Sequence, residues 1–342
     1  MKNEVVLLLI IILLLVTAPL PRREGQVESP VVSGVSPSHF SFMTYNCENA
    51  FDTIPTPHHD DQDFLPDGPQ HWTRWRFSQK MNRIAQVLLA ADTLHPLDMA
   101  VLQEVESDTV MQWLVRRTPL ASVGYEYVMT ESRDRRGINV ALVYQPLTFR
   151  PLSVQTIGLS EAFLKGHNLT PTRDILHVCG RCAAGDTLDV FAVHLPSRLG
   201  GREGGVKRRE LQRLLFANID SLLTVRPSAR IIVAGDFNEA PSKREIRRNP
   251  RLRNLMYGRR GGSYKFHGRW EWIDQVWVSA SLTDGSSRLS VSEADVRALQ
   301  LPFLLERDEA WGGVKPFRTF YGPAYHGGYS DHLPVVVTFR GR

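Results

Sequence analysis

Cysteine is almost missing from this 342-residue chain, which has three: Cys47, Cys179 and Cys182. So few cannot form a disulfide framework, and a packed core must hold the fold instead. Cys179-Gly-Arg-Cys182 has C-x-x-C spacing, but no second pair exists to complete a structural zinc site. No thioredoxin-like strand-helix pattern surrounds it either, which argues against a redox centre. It reads as a strand-to-turn feature, able to close a local disulfide in an oxidising compartment. The chain also lacks the run of about 20 apolar residues that a full membrane span requires. Its longest apolar run, residues 5–16, follows Lys2 and stops before Thr17-Ala18. That length suits the core of an export signal. No cysteine follows, so a bacterial lipoprotein anchor is excluded. Residues 1–20 therefore read as a signal peptide or a retained N-terminal membrane anchor. Residues 21–38, rich in Pro, Ser, Val and Gly, read as a linker. No internal repeat or composition break follows, and residues 39–342 are taken as one domain.

Apolar residues make up 42% and charged residues 23%, which suffices for a sizeable core. The net charge of +5 fits either an anionic partner or a solvated basic surface. The densest basic stretch, Lys243 to Arg260, either tracks a nucleic-acid backbone or forms a solvated helix face. Arg133, Arg135 and Arg136 either meet phosphate or coat a turn. Residues 52–73, with His58, His59, Asp60, Asp61, Asp63 and Asp67, have no periodicity and read as a solvated loop. Phe77, Met81, Ile84, Leu88 and Ala91 mark one amphipathic helix. Leu211, Leu214, Leu215, Ile219 and Leu222 mark another within Lys207–Leu223, after a glycine-rich loop at Gly200–Gly205.

The informative pattern is a set of strand-like runs that end or begin in a polar residue. Phe40–Tyr45 delivers Asn46, with Glu48 two residues on. Asp98–Gln103 delivers Glu104, and a carboxylate there is costly to bury unless it meets a cation or a partner. Thr187–Val193 delivers His194. Ile231–Gly235 delivers Asp236-Phe237-Asn238, whose Asp and Asn share one side of an extended chain. Asp274 stands near the start of Ile273–Ser279. Asp331-His332 follows a glycine-rich turn and precedes Val335–Phe339. In α/β sheets ligands bind at strand ends. The inventory is rich in oxygen and free of cysteine, which suits Mg²⁺, or Mn²⁺, better than zinc.

In this order, Thr-Tyr-Asn46, Gln103-Glu104, His194, Gly235-Asp236-Phe-Asn238, Ile273-Asp274 and Ser330-Asp331-His332 resemble the endonuclease/exonuclease/phosphatase superfamily of DNase I-like proteins. The motifs span residues 40–339. Arg136–Tyr144 and Pro316-Phe-Arg318-Thr-Phe resemble an exported group common in Bacteroidetes. The resemblance implies a four-layer α/β sandwich of two packed mixed sheets flanked by helices. It also implies hydrolysis of a phosphate ester at Mg²⁺ or Mn²⁺, held by Asn46, Glu104 and Asp331. Asp236 would orient or deprotonate the attacking water, and Asn238 would hold the phosphate. His194 and His332 would stabilise developing charge, with Asp274 fixing the tautomer of His332. Glu48 occupies a place where some members carry a further acidic residue. The expected substrate is a phosphodiester, with nucleic acid favoured by the basic run and by export. Alternatives are a sphingomyelinase-like lipid phosphodiesterase, for which Trp270, Trp272 and Trp277 could form a membrane-facing surface, or a phosphomonoesterase on a soluble phosphate such as an inositol phosphate. A non-catalytic binding module is the alternative from another class. The protein is expected to act as an exported monomer: periplasmic, extracellular, or tethered to a membrane through residues 5–16.

Overall fold

The computed structural model describes residues 39–57 and 59–341. The expected export segment, the linker and His58 lie outside the described residues. In chain order, β1 (His39–Ala50) leads through α1 (Arg74–Ala90) to β2 (Met99–Val105), then to α2 (Asp108–Arg117), β3 (Glu126–Met129) and β4 (Asn139–Tyr144). β5 (Phe149–Ile157), α3 (Glu161–His167), β6 (Ile175–Cys182) and β7 (Thr187–His194) follow, then α4 (Gly201–Val225), β8 (Arg230–Asp236) and α5 (Lys243–Arg248). Shorter strands come next: β9 (Leu252–Asn254), β10 (Tyr264–Phe266), β11 (Arg269–Glu271), β12 (Asp274–Ser279), β13 (Leu289–Ser290) and β14 (Val296–Ala298). Two small hairpins, β15 (Leu305–Arg307) with β16 (Val314–Pro316) and β17 (Phe320–Tyr321) with β18 (Ala324–Tyr325), precede β19 (Val335–Gly341).

These strands build two mixed sheets. The first runs β13-β19-β1-β2-β4-β3, with β14 also on β19, and the second runs β5-β6-β7-β8-β12-β9. Each has one parallel pair, joined by a helical crossover. β1 reaches β2 through α1, and β7 reaches β8 through α4. The period of two explains the layering. On β1, Phe40 and Phe42 enter the core between the sheets, while Met43 and Tyr45 join the layer that holds Met81, Ile84 and Leu88 of α1. On β8, Ile232 and Ala234 face the inter-sheet core, and Ile231 and Val233 pack against Leu211, Leu215 and Ile219 of α4. The result is helix, sheet, sheet, helix, a DNase I-like architecture. Each such apolar side chain contributes about 1.5–3 kcal/mol on burial.

The structure refines the sequence reading in five places. The described residues of the 52–73 loop are largely exposed, as expected, but a few buried side chains pin it: Phe64 stacks on Phe51 at 4.2 Å, and the buried Trp72 indole donates to the Phe51 carbonyl at 2.9 Å. The glycine-rich stretch before Lys207 is already helical from Gly201, and at Gly204 a Cβ would lie 2.8 Å from the Ser197 carbonyl. The basic stretch breaks at Asn249-Pro250 into α5 and β9, with Arg253 paired to Glu293 and Arg259 bound to the backbone of Val296. Cys179 and Cys182 are free. Three apart on β6, they point to opposite faces, which prevents a bridge. Trp272 and Trp277 are buried in packing, not presented to a membrane. No helix among the described residues is long and apolar enough to cross a membrane.

Candidate active site

The ends of both parallel pairs open onto one cleft of about 410 Å³, lined by Glu104, Arg136, Arg173, His194, Asp236, Asn238, Tyr264, Asp331 and His332 among others. Strand register explains this convergence. Parallel pairing of β7 and β8 sets His194 opposite Asp236. Antiparallel pairing of β8 and β12 sets Asp274 on the other flank of Asp236. In the first sheet Asn46 pairs with Gln103, next to Glu104. β19 runs antiparallel to β1 from Thr44↔Val335, so Asp331-His332 arrive where β1 ends.

The backbone is distorted where it aims these groups. Register shifts interrupt β1 between Asn46 and Ala50, and the β2–β4 pairing between Gln103 and Val105. Glu48, Asn49, Glu104 and Asn238 have φ of 48°, 55°, 60° and 55°. The left-handed region costs an L-residue about 1–2 kcal/mol, a strain typical of functional sites. Gly235 has φ 145°, and a Cβ there would lie 1.9 Å from the Val193 carbonyl. Only glycine lets β7 and β8 touch one residue before His194 and Asp236.

Hydrogen bonds knit the floor. The Asn46 amide donates to Asp236 Oδ2 at 3.1 Å and to Glu104 Oε1 at 3.4 Å. The Asn49 N–H donates to Glu104 Oε2 at 2.8 Å. Asn238 donates its backbone N–H to Asp236 Oδ1 at 2.7 Å, and its amide to Asp236 Oδ2 and the Leu195 carbonyl. Its amide hydrogens are therefore engaged inward, so Asn238 positions Asp236 instead of presenting a free donor to the cleft. His332 Nδ1 lies 2.7 Å from Asp274 Oδ2, which also accepts from Ser263 at 2.6 Å. Asp274 and His332 are both buried. His194 stands 3.7 Å from Asp236 Oδ2 and 3.8 Å from Glu104 Oε1, with Arg173 Nη2 donating to its Nε2 at 3.1 Å.

Environment separates the two imidazoles. Burial depresses His194, and the cations Arg173 and Arg136 depress it further, so it is neutral at pH 7. Burial also opposes charge on His332, but Asp274, Asp331 and Asp236 overcome it and hold its pKa well above the usual range. Asp236 is pushed up to about 7 by burial, countered by His332 and reinforced by Asp274. Glu104 pays a burial penalty too, yet Arg136, Arg173 and the Asn49 N–H bring it below the ordinary carboxylate range.

Two donor sets could meet a cation. Donor atoms of Asp236, Asp274 and His332 lie within 4.8 Å of one another. However, Asp274 and His332 are engaged with each other, so that set is better read as an oriented imidazole beside a carboxylate. Glu104 and Asp331 line one cleft with carboxylate oxygen, the chemistry a hard divalent ion prefers, and Glu104 stays ionised; Asn46 turns its amide nitrogen to Glu104 and Asp236 while its Oδ1 accepts from the Glu48 N–H at 2.9 Å, so its amide would have to flip to join them. The carboxylate pair fits such an ion.

All eight residues expected at the site gather there, either lining the cleft or bonded directly to a residue that does. Around them lie groups to which the sequence reading gave no role at the site. Arg173 bridges His194 and Asp134 at 3.4 Å. Arg318 pairs with both Glu48 and Asp331 at 3.2 Å. Lys80 is fully buried and donates to Thr319 Oγ1 at 2.5 Å and to the Tyr329 carbonyl at 2.6 Å. A signal for Lys80 existed: it lies three residues after Phe77 and four before Ile84, on the buried face of α1. Arg173 leaves no such trace. The arginines of residues 243–260 do not line the cleft.

A family model described as Endonuclease/Exonuclease/phosphatase family matches residues 41–341. No curated protein matches the chain. Among solved structures, an endonuclease/exonuclease/phosphatase from Bacteroides vulgatus superposes with a TM-score of 0.56 at 17% identity, covering 89% of this chain and 99% of that one. TDP2 of D. rerio complexed with single strand DNA product gives 0.53 at 15%, covering 89% and 99%. A mannosyl-6-phosphatase of Bacteroides thetaiotaomicron gives 0.51 at 19%, covering 88% and 99%. At such identities the likeness is one of fold.

Proposed function

The chain belongs to the endonuclease/exonuclease/phosphatase family, whose members are phosphoric ester hydrolases, and on that premise we propose that it is an exported, divalent-metal-dependent phosphodiesterase. The observation that carries this reading is the meeting, in one cleft, of a buried carboxylate near neutrality, a charged imidazole, a neutral imidazole and two arginines.

A phosphodiester is anionic and repels an attacking hydroxide, so cationic donors must face it. Asp236, oriented by Asn46 and Asn238, accepts the proton of the attacking water. His332, charged and held by Asp274, donates to a phosphoryl oxygen as charge develops there. On the opposite side Arg173 and Arg136 supply the positive charge, and neutral His194 accepts from Arg173 and holds its guanidinium in place. Glu104 and Asp331 would hold Mg²⁺ or Mn²⁺, which neutralises phosphate charge when bound.

Nucleic acid is the favoured source of the ester, supported by the net charge of +5 and by a structural neighbour that holds a single-stranded DNA product. A second reading, a soluble phosphomonoester, is favoured by one observation: the basic stretch expected to track a polymer lies away from the cleft. Export, with or without a tether, rests on residues 5–16.

The test is release of product from plasmid DNA, sphingomyelin, inositol phosphates and bis-p-nitrophenyl phosphate, with Mg²⁺ and after chelation. Turnover that vanishes with chelator and returns with Mg²⁺ is expected. A silent panel despite bound metal would overturn the hydrolase and restore the binding module.

A further inference from the structure

A second cavity of about 220 Å³ adjoins the cleft and shares two of its walls, Tyr264 and Asp331. Its outer wall is the indole of Trp311, 60% exposed. An exposed indole on a loop is ordinarily mobile, but this one is fixed. Lys265 and Asp308, each with a side chain only 5% exposed, pair at 2.7 Å beneath the loop. Lys265 also donates to the carbonyls of Gly312 and Val314, and Asp308 Oδ1 accepts from the Trp311 N–H at 3.1 Å. His267 stands 5.6 Å from the indole, ring to ring. At Gly268 a Cβ would lie 3.0 Å from Trp311 Cβ, so a larger residue would push the ring aside.

We propose that this cavity is a subsite for a planar nucleobase carried by the ester, which makes the substrate class a nucleotide phosphodiester. The inference rests on the hydrolase reading above. It deepens that reading with an observation the catalytic groups do not supply: an aromatic face held in place beside a phosphate-sized cleft. Stacking on such a face tolerates any base, because every base has a π-surface. The alternative occupant of an aromatic-walled cavity is a sugar, which needs acceptors for its hydroxyls. Of the nearby carboxylates, Asp331 is held through one oxygen by Arg318 at 3.2 Å, and the other two are engaged at both oxygens. Both oxygens of Asp308 are used as described, and Glu306 accepts from Tyr321 at 2.5 Å and pairs with His326 at 2.7 Å. The cavity therefore offers ring faces and few spare acceptors, which selects a base over a hydroxylated ring.

The test compares the p-nitrophenyl ester of thymidine 5′-monophosphate with its base-free counterpart, the p-nitrophenyl ester of 1,2-dideoxyribose 5-phosphate, in the wild-type protein and in Trp311→Ala and Trp311→Phe. The selectivity ratio, kcat/KM with base over kcat/KM without, should fall roughly 5- to 150-fold in Trp311→Ala. The loss should appear in KM, and Trp311→Phe should recover most of it. An unchanged ratio overturns the subsite and leaves the hydrolase intact. Calorimetric binding of thymidine 5′-monophosphate, run in parallel, tests the subsite without turnover. Weakening by the same factor in Trp311→Ala supports it even if neither ester is cleaved, which would sink the hydrolase reading alone. Equal affinity in both proteins overturns it.

Discussion

Glu104 should be a residue the fold would rather not have. Its φ of 60° lies in the left-handed region, at the end of a buried strand, where an L-residue costs about 1–2 kcal/mol. The consequence can be isolated by comparing Glu104→Ala with Glu104→Gly. Both delete the carboxylate and leave the Asn49 N–H without its acceptor, so those losses cancel in the comparison. Alanine keeps the strain and glycine relieves it. Glycine in turn loses about 0.4–1 kcal/mol through the greater freedom of its unfolded chain. The difference leaves Glu104→Gly more stable than Glu104→Ala by about 0.5–1 kcal/mol. In an ordinary strand the order is reversed, because glycine weakens strand interiors. Urea unfolding of the two proteins, read at equal m-value, measures the sign directly. Both should also lose at least about 100-fold in phosphodiester turnover with Mg²⁺. If alanine is as stable as glycine, the strain assigned to this position is not there. If either variant keeps activity within tenfold of wild type, Glu104 is not part of the chemistry.

Two further expectations concern groups packed behind the cleft. Asp274→Asn removes the anion that keeps His332 charged and should lower kcat by about 100- to 1,000-fold, measured under saturating substrate. Because Asp274 raises the pKa of His332, their pair stabilises the fold fully below the unfolded histidine value of about 6.5, and that stability fades as pH climbs through the raised folded value. The stability gap between wild type and Asp274→Asn, taken from urea unfolding across pH, should therefore narrow toward alkaline pH; a gap that widens contradicts the pairing. Lys80→Met removes the ammonium from Thr319 Oγ1 and the Tyr329 carbonyl, leaving them only the 3.3 Å bond from the Thr319 hydroxyl to that carbonyl, and should cost about 1–3 kcal/mol in the same unfolding measurement. A stability equal to wild type would mean water replaces the amine there.

What the sequence made legible follows from where each residue's partners lie. Strand ends were readable because burial forces long apolar runs and a polar residue breaks them. Asn46, Glu104, His194 and Asp236 announced themselves that way, and register then brought them together. The two amphipathic helices were readable for the same reason: their partners are their own sheet faces, repeated every 3.6 residues. Arg173 was not readable, because its role comes from His194, 21 residues away, and Asp134, 39 away, joined only by tertiary folding. The basic stretch stayed open between two readings for a related reason. Charge density along the chain says nothing about which face it will cover, and a break at Asn249-Pro250 split it and tied Arg253 and Arg259 to neighbouring segments. Residues 52–73 look like loop because aromatic pairs such as Phe51 and Phe64 have no period. Phe64 and Trp72 nonetheless pin that loop to the core, since stacking needs proximity, not regularity. The backbone strain at Glu48 and Glu104 was invisible for a deeper reason: glutamate has no leaning toward the left-handed region, unlike Asn49 and Asn238, and only the surrounding packed sheets hold it there. Glu104 is thus aimed into the cleft against its own local preference, and the stability lost there must be supplied by the apolar layers on either side.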